Sequence, residues 1–274
     1  MSDVSLGVCT WSLVRDDVIR GLQEAASLGI SVVQIGFFSD SSQAAANAVI
    51  VKDEAAARDI VIHGVFVGFE GEDYGSWAAL RATGGMKPDD LFEARVKRVS
   101  DAFTFATTVG ARSVIIHAGK APDETSHADF DLLCKRLVPL AREAHEHDLT
   151  LLFETGRESG TAMASLVAAL GEGAGVNFDP ANFVTMGTDE PLNALRALKE
   201  HLGAVHLKDA HPPDDGSFLG RPAALGQGEA SIPRLINKLR VWRYAGPLLV
   251  ECSRSMAGKE NVSAGLDYVR SMLD

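Results

Sequence analysis

Glu154, Asp179, His206 and Glu251 each stand directly after a short apolar run and directly before a polar, glycine or proline turn. The segments read Leu151-Leu152-Phe153-Glu154-Thr155-Gly156, Val176-Asn177-Phe178-Asp179-Pro180, Ala204-Val205-His206-Leu207-Lys208-Asp209 and Leu248-Leu249-Val250-Glu251-Cys252-Ser253. Each has the pattern of a buried strand ending on an ionisable group. A carboxylate in that position loses water, and the loss is tolerable only if a cation or a full set of donors replaces it. Three oxygen donors and one imidazole suit a borderline-to-hard divalent ion, and Mn²⁺, Mg²⁺, Co²⁺ and Zn²⁺ are all chemically allowed. For any one acid alone, a helix cap or an arginine pair explains the position equally well, and a lone histidine on an apolar strand is usually a satisfied core residue. Four in one register favour a shared ion. Three carboxylates overcompensate a single divalent charge, so at least one should titrate at a basic, coupled value, which suits proton abstraction.

The elements that must position these groups alternate along the whole chain. Eight apolar β-type runs fall at Leu6–Trp11, Ser31–Phe37, Ile60–Phe69, Ser113–His117, Thr150–Glu154, Val176–Asp179, Ala204–Leu207 and Pro247–Glu251. Helical spacing lies between them, clearest at Phe92, Val96, Val99, Phe103 and Ala106, and at Val262, Leu266, Val269 and Leu273. Gly29 and Gly110 sit where helix C-terminal glycines belong, and Pro191 and Pro233 fit first-turn positions. Pro139 predicts a kink or a break in its helix. Strands that are continuous apolar runs separated by helices make a parallel sheet covered on both faces. Eight such units predict an α/β fold, a (β/α)8 TIM barrel forming a single domain over residues 1–274. The segments Glu70 to Lys87 and His211 to Ala230 are longer than the other connections, and both follow strand C-termini, the face on which barrel sites are built. Long loops there are lids, ligand loops or mobile decoration.

Bulk properties narrow the partners. Apolar residues make up 46% of the 274-residue chain, enough for a large core, and the formal charge of −11 argues against nucleic acid or an anionic membrane as the main partner. The three cysteines, Cys9, Cys134 and Cys252, form no CxxC pair and no even framework, which predicts a reducing compartment. No apolar run approaches the roughly 20 residues of a spanning helix, and Met1–Ser5 lacks a basic, apolar leader pattern. A cytoplasmic protein is expected.

Other residues near strand ends are candidates for substrate contact. His63 and His117 fall at or near the ends of strands three and four and would face the cavity if the alternation holds; bonding to backbone or water is the alternative. Lys208 and Asp209 read as an internal salt bridge or strand-end network, with substrate contact by Lys208 the second reading. Arg221, His211 and the glycines 216, 220, 226 and 228 would make either a phosphate cradle or a solvated loop. Trp11, Phe66, Phe69 and Tyr74 are candidates for an apolar wall of the cavity, with core packing the alternative for the first three.

Together, Phe-Glu-Thr-Gly around Glu154, Asn-Phe-Asp-Pro-Ala-Asn at 177–182, Val-His-Leu-Lys-Asp-Ala at 205–210, Leu-Gly-Gln-Gly at 225–228 and Leu-Val-Glu at 249–251 resemble the xylose isomerase-like TIM barrel superfamily, in particular its sugar phosphate isomerase/epimerase group. The resemblance spans essentially the whole chain. It implies that Glu154, Asp179, His206 and Glu251 bind one divalent ion, commonly manganese, and that Glu154 and Glu251 flank the substrate as catalytic acid and base. A ketose or hydroxyketone would then be enolised, and the proton returned from the opposite face or to the adjacent carbon. The implied partner is a small carbohydrate, and a homo-oligomer is a further expectation. Ketose 3-epimerases of the group carry a substrate-contacting His where this chain has Asn182 and an Arg where it has Pro212, which opens the substrate range to other polyols, keto-acids, inositol derivatives or phosphorylated sugars. Gln34 stands where a Glu is common and is expected to make neutral hydrogen bonds at the rim. A dehydratase or lyase of an inosose or keto-sugar shares the early enolisation step. An endonuclease IV-like repair enzyme is disfavoured by Asn182, where its zinc cluster needs a His, by the missing Asp-x-His after strand seven and by the acidic charge; a sugar-binding barrel without catalysis would not need two flanking Glu residues.

Overall fold

The apolar runs become strands because alternate residues are buried on opposite faces of one sheet. The computed structural model describes residues 5–38, 41–214 and 216–273. Strands β1 (Leu6–Cys9), β2 (Val32–Phe37), β3 (Val61–Val67), β4 (Ser113–Ile116), β5 (Thr150–Glu154), β6 (Ala174–Phe178), β7 (Leu202–Leu207) and β10 (Leu248–Val250) close a barrel in the order β1-β10-β7-β6-β5-β4-β3-β2. Every ladder is parallel. All eight strands coincide with the runs expected from sequence, and the fold is the (β/α)8 barrel.

Alternation splits the apolar residues into two cores. Leu151, Phe153, Val176, Phe178, Val205, Leu207, Leu248 and Val250 point outward into the layer between sheet and helices. Cys9, Trp11, Ile115, Leu152, Ala204 and Leu249 fill the barrel, with Phe38 and Phe66 packed on them. Because side chains alternate, Glu154 has the inward parity of Leu152, His206 that of Ala204, and Glu251 that of Leu249.

The outer layer includes α4 (Asp89–Val109) and α10 (Lys259–Leu273), whose buried residues include Val99, Phe103 and Ala106, and Val262, Leu266 and Val269. Gly110 ends α4 in the left-handed conformation, as its position predicts. Pro191 and Pro233 lie in the first turns of α8 (Pro191–Ala197) and α9 (Ile232–Val241). Pro139, in contrast, breaks nothing: α5 runs from Ala128 to Glu146 as one helix. Buried Leu133 and Leu137 before the proline and Leu140 and Ala141 after it clamp the helix to the sheet despite the missing backbone donor.

Both long segments after strand C-termini carry structure of their own. The first holds α3 (Trp77–Thr83), capped by Ser76. In the second, β8 (Asp209–His211) pairs antiparallel with β9 (Arg221–Ala223). Buried Asp209 is its anchor, accepting the backbone N–H groups of Ala210, Gly226, Gly228 and Ala230 at 2.9–3.0 Å. Gly228 must lack a side chain, since a Cβ there would lie 2.2 Å from Asp209 Oδ1. The N–H groups of Gly226 and Gly228 are thus spent on a carboxylate of the chain itself, and the glycines form no phosphate cradle. Asp209→Ala should orphan these donors and lower stability by about 2–4 kcal/mol in urea denaturation, with early proteolysis inside 211–230.

Candidate metal centre

The four acidic and imidazole groups meet at the C-terminal mouth. Glu154, Asp179, His206 and Glu251 each bring one donor atom into a cluster whose atoms all lie within 4.8 Å of one another. Asp179 and His206 are fully buried and Glu154 is nearly so.

A chain of amides beneath the cluster orients it. His206 Nε2 lies 2.7 Å from Gln34 Oε1 and donates to it. Gln34 Nε2 donates to Asn177 Oδ1 at 2.9 Å, and Asn177 Nδ2 donates to Glu154 Oε2. The Nε2 side of the ring thus faces the amides, with Asn177 Nδ2 also 3.1 Å from it, and Nδ1 is turned toward Glu251 Oε2 at 2.9 Å and Glu154 Oε1 at 3.2 Å. Two carboxylates crowded on one imidazole nitrogen call for positive charge between them, from a protonated ring or from a bound cation. Asp179 Oδ2, His206 Nδ1 and Glu251 Oε2 are buried without a well-formed hydrogen bond, and their close contacts are charge contacts, Oδ2 with Lys208 at 3.2 Å and Nδ1 with Oε2 at 2.9 Å, a pattern that suits ligand atoms. The residues therefore fit a divalent ion. The Cys9 sulfur lies on the other side of the ring, 3.4 Å from Nε2.

Local structure holds each group. Asp179 caps α7 (Pro180–Met186), its Oδ1 accepting from the Ala181 and Asn182 N–H groups, which leaves Oδ2 for the cluster. The helix cap and the shared cation are two halves of one carboxylate. Asn182 Nδ2 reaches Glu154 Oε1 at 3.3 Å and the Thr155 carbonyl at 3.1 Å. Gly156 permits this approach: at φ +119° it lies against Asn182, and a Cβ would come within 2.3 Å. Trp11 Nε1 donates to Glu251 Oε1 at 3.1 Å, and the Lys208 ammonium stands 3.2 Å from both that oxygen and Asp179 Oδ2. Lys208 and Asp209 are thus not a pair; each has partners elsewhere.

Burial would lower the His206 pKa, but the Cys9 sulfur and the Glu154 and Glu251 carboxylates lift it well above the imidazole range. Burial likewise opposes ionisation of Glu251, yet Lys208 and His206 hold it well below the usual carboxylate range. Asp179 is raised, chiefly by burial.

Around the cluster, Trp11 and Phe66 stand with ring centres 5.2 Å apart, Phe38 closes the wall 5.8 Å from Trp11, and His117 meets Phe66 edge-on at 5.8 Å. His117 follows β4 directly; burial and then the Arg157 charge lower its pKa to about 4, so it is neutral, with Nδ1 unpartnered. His63 is a correction. It is the third residue of β3, far from that strand's C-terminal end, and its carbonyl bonds the start of β4 through Arg112 N and Ser113 Oγ. It is the extra residue at a register irregularity, Ile62 pairing with Val33 and Gly64 with Gln34, and lies low in the strand, away from the mouth. Arg221 is corrected too: it lies exposed on β9 beside Asp214, 3.2 Å away. Phe69 is covered by the Arg95 guanidinium and Tyr74 by that of Arg157, so neither joins the aromatic wall. Gln34 is fully buried in the barrel beneath the cluster, below the rim.

Sequence reading missed several supports. Asn177 has the same parity as Asp179, a signal that was available; Phe38, Glu72 and Arg157 carry no local signal. Arg157 clamps Glu72 through two bonds at 3.1 and 2.8 Å and also reaches the Tyr74 hydroxyl, tying the 70–87 segment to the end of β5. Trp77 of the same segment meets Phe218 of the 211–230 segment edge-on at 5.2 Å.

The chain belongs to the xylose isomerase-like TIM barrel family, whose model matches residues 17–272. A xylose isomerase domain protein from Planctomyces limnophilus is similar at 26% identity and a TM-score of 0.86, over 98% of this chain and 95% of that one. D-allulose 3-epimerase from Methylomonas sp. is 15% identical with a TM-score of 0.75, covering 99% of each chain. 3-Keto-D-glucoside 4-epimerase from E. coli is 14% identical with a TM-score of 0.71, over 98% of this chain and all 100% of that one. At those last two identities the likeness shows the fold. No curated protein matches the chain by sequence. Among the described residues no helix is long and apolar enough to cross a membrane.

Burial works against ionisation of Glu72, but the Arg157 charge and bonds bring its pKa to about 2. This pair's contribution to stability is therefore complete above the ordinary glutamate value of 4.5 and lost as pH falls through about 2. Glu72→Gln should lower stability at neutral pH and flatten its decline across that window, measured by denaturant titration at each pH.

Proposed function

We propose that the chain is a divalent-metal-dependent isomerase or epimerase of a small sugar, keto-sugar or sugar phosphate, working through an enediolate with Glu154 and Glu251 as the acid–base pair. Glu154, Asp179, His206 and Glu251 are the metal ligands of this reading, with Mn²⁺ favoured over Zn²⁺, Mg²⁺ or Co²⁺. The observation that carries it is the convergence of four donors within 4.8 Å, three of them with a buried atom that no hydrogen bond satisfies. Family membership and the names of the similar epimerases support a carbohydrate substrate.

A bound divalent ion would polarise the carbonyl of a hydroxyketone and make the neighbouring C–H acidic. The chain supplies the rest. Trp11 and Lys208 hold Glu251, and Asn177 and Asn182 hold Glu154, so the two carboxylates keep fixed positions beside a bound ketose. One removes the proton next to the carbonyl and the other returns a proton from the opposite face, which inverts the carbon. Return to the adjacent carbon would interconvert aldose and ketose. Trp11, Phe38 and Phe66 offer an apolar wall to the C–H face of a sugar, and the free Nδ1 of neutral His117 is suited to a substrate hydroxyl. Asn182, with its amide engaged by Glu154, acts on substrate mainly by bracing that residue.

With Mn²⁺ present, the protein should exchange deuterium from D₂O into its ketose, inosose or sugar-phosphate substrate, and EDTA should stop the exchange. Product lacking a hydroxyl would assign the elimination reaction instead. Glu251→Gln should keep the fold by circular dichroism and lose the exchange by about 10²-fold or more; near-normal exchange would remove Glu251 from the mechanism. His206→Ala should lose bound metal in elemental analysis, and full occupancy would refute the ligand set.

A further inference from the structure

Lys208 stands two residues beyond His206, where β7 gives way to the β8–β9 hairpin. Its side chain is 16% exposed, and its ammonium touches two of the four cluster carboxyl and imidazole groups directly, Asp179 Oδ2 and Glu251 Oε1, each at 3.2 Å. Glu251 Oε1 also accepts from Trp11, so that oxygen is held on two sides while Oε2 is turned toward His206 Nδ1. On Asp179, the helix N–H groups hold Oδ1 and leave Oδ2 to the ammonium. Three carboxylates around a divalent ion leave one negative charge in a site that water scarcely reaches. One lysine cancels it.

We propose that Lys208 is the internal counter-ion of the centre: it holds Asp179 and Glu251 in register before an ion arrives and weakens the hold on that ion once it is bound. The inference rests on the metal-centre reading above. An ammonium and a divalent ion drawing on the same two carboxylates repel each other, and burial leaves that repulsion little screened. A site with a negative surplus would grip its ion more tightly; a balanced site keeps the ion exchangeable and leaves its charge available to polarise an incoming oxygen. Lys208 is in this sense a positioning residue, acting through Asp179 and Glu251.

Calorimetric titration of the EDTA-treated protein with Mn²⁺ tests the proposal, using wild type, Lys208→Met and Lys208→Arg, with thermal midpoints recorded with and without the ion. Lys208→Met should bind Mn²⁺ about tenfold more tightly or better, melt earlier without it and gain more from its addition, whereas Lys208→Arg should stay close to wild type in affinity. A residue needed only for packing would lower affinity when replaced, so equal or weaker binding by Lys208→Met, with wild type binding normally, would overturn the proposal. Failure of wild type to bind Mn²⁺ would instead remove the metal centre itself, and this inference with it. If Lys208→Met folds only with the ion present, refolding in Mn²⁺ followed by chelator competition gives the same ranking of affinities.

Discussion

Mutual repulsion among the Glu154, Asp179 and Glu251 carboxylates, packed around the imidazole of His206, is the constraint that the mouth of this barrel is organised to meet. Carboxylates drawn out of water at this spacing are tolerable only with positive charge among them. Lys208 supplies some from one side, the Asp179 helix N-terminus supplies partial charge from another, and the remaining space, lined by unpartnered donor atoms, fits a divalent ion. The same crowding drives the titration of the groups apart, with Glu251 held ionised, Asp179 raised and His206 raised.

The barrel bears the cost of polar groups in its interior through the direction of one hydrogen-bond chain. Gln34, Asn177 and His206 are all fully buried, where an unpaired amide would be strongly destabilising. Passing donors from His206 to Gln34, Asn177 and Glu154 satisfies the amides and simultaneously fixes which imidazole nitrogen faces the carboxylates. Stability and function therefore depend on the same three bonds. Gln34 does here what a charged residue would disturb: an acid at its position would add a fourth carboxylate beneath the cluster.

Above the cluster, two loops are made firm by buried charge. Asp209 gathers four backbone donors to hold the β8–β9 hairpin, and the Glu72–Arg157 pair ties the α3 segment to the end of β5. Trp77 and Phe218 then join the loops to each other.

The eight strands, their parallel arrangement and the four cluster residues were legible in the chain itself, because each strand is a contiguous apolar run and each cluster residue lies at or beside the C-terminal end of one. Period-two alternation even predicts the inward parity of Glu154, His206 and Glu251. What alternation lacks is a vertical scale. His63 and His117 lie in comparable apolar runs, yet one sits near the start of β3, at the register irregularity opposite Val33 and Gln34, and the other just past the end of β4 at the mouth, a difference set by how the barrel closes. Pro139 shows the same limit from the side of packing, since the apolar face of α5 overrides a local helix breaker. Pairings such as Trp11 with Glu251, Gln34 with Asn177 and Arg157 with Glu72 join residues 240, 143 and 85 positions apart. No local pattern encodes them: hydrogen bonds act over about 3 Å of space, and only the closed barrel brings such distant segments within that reach.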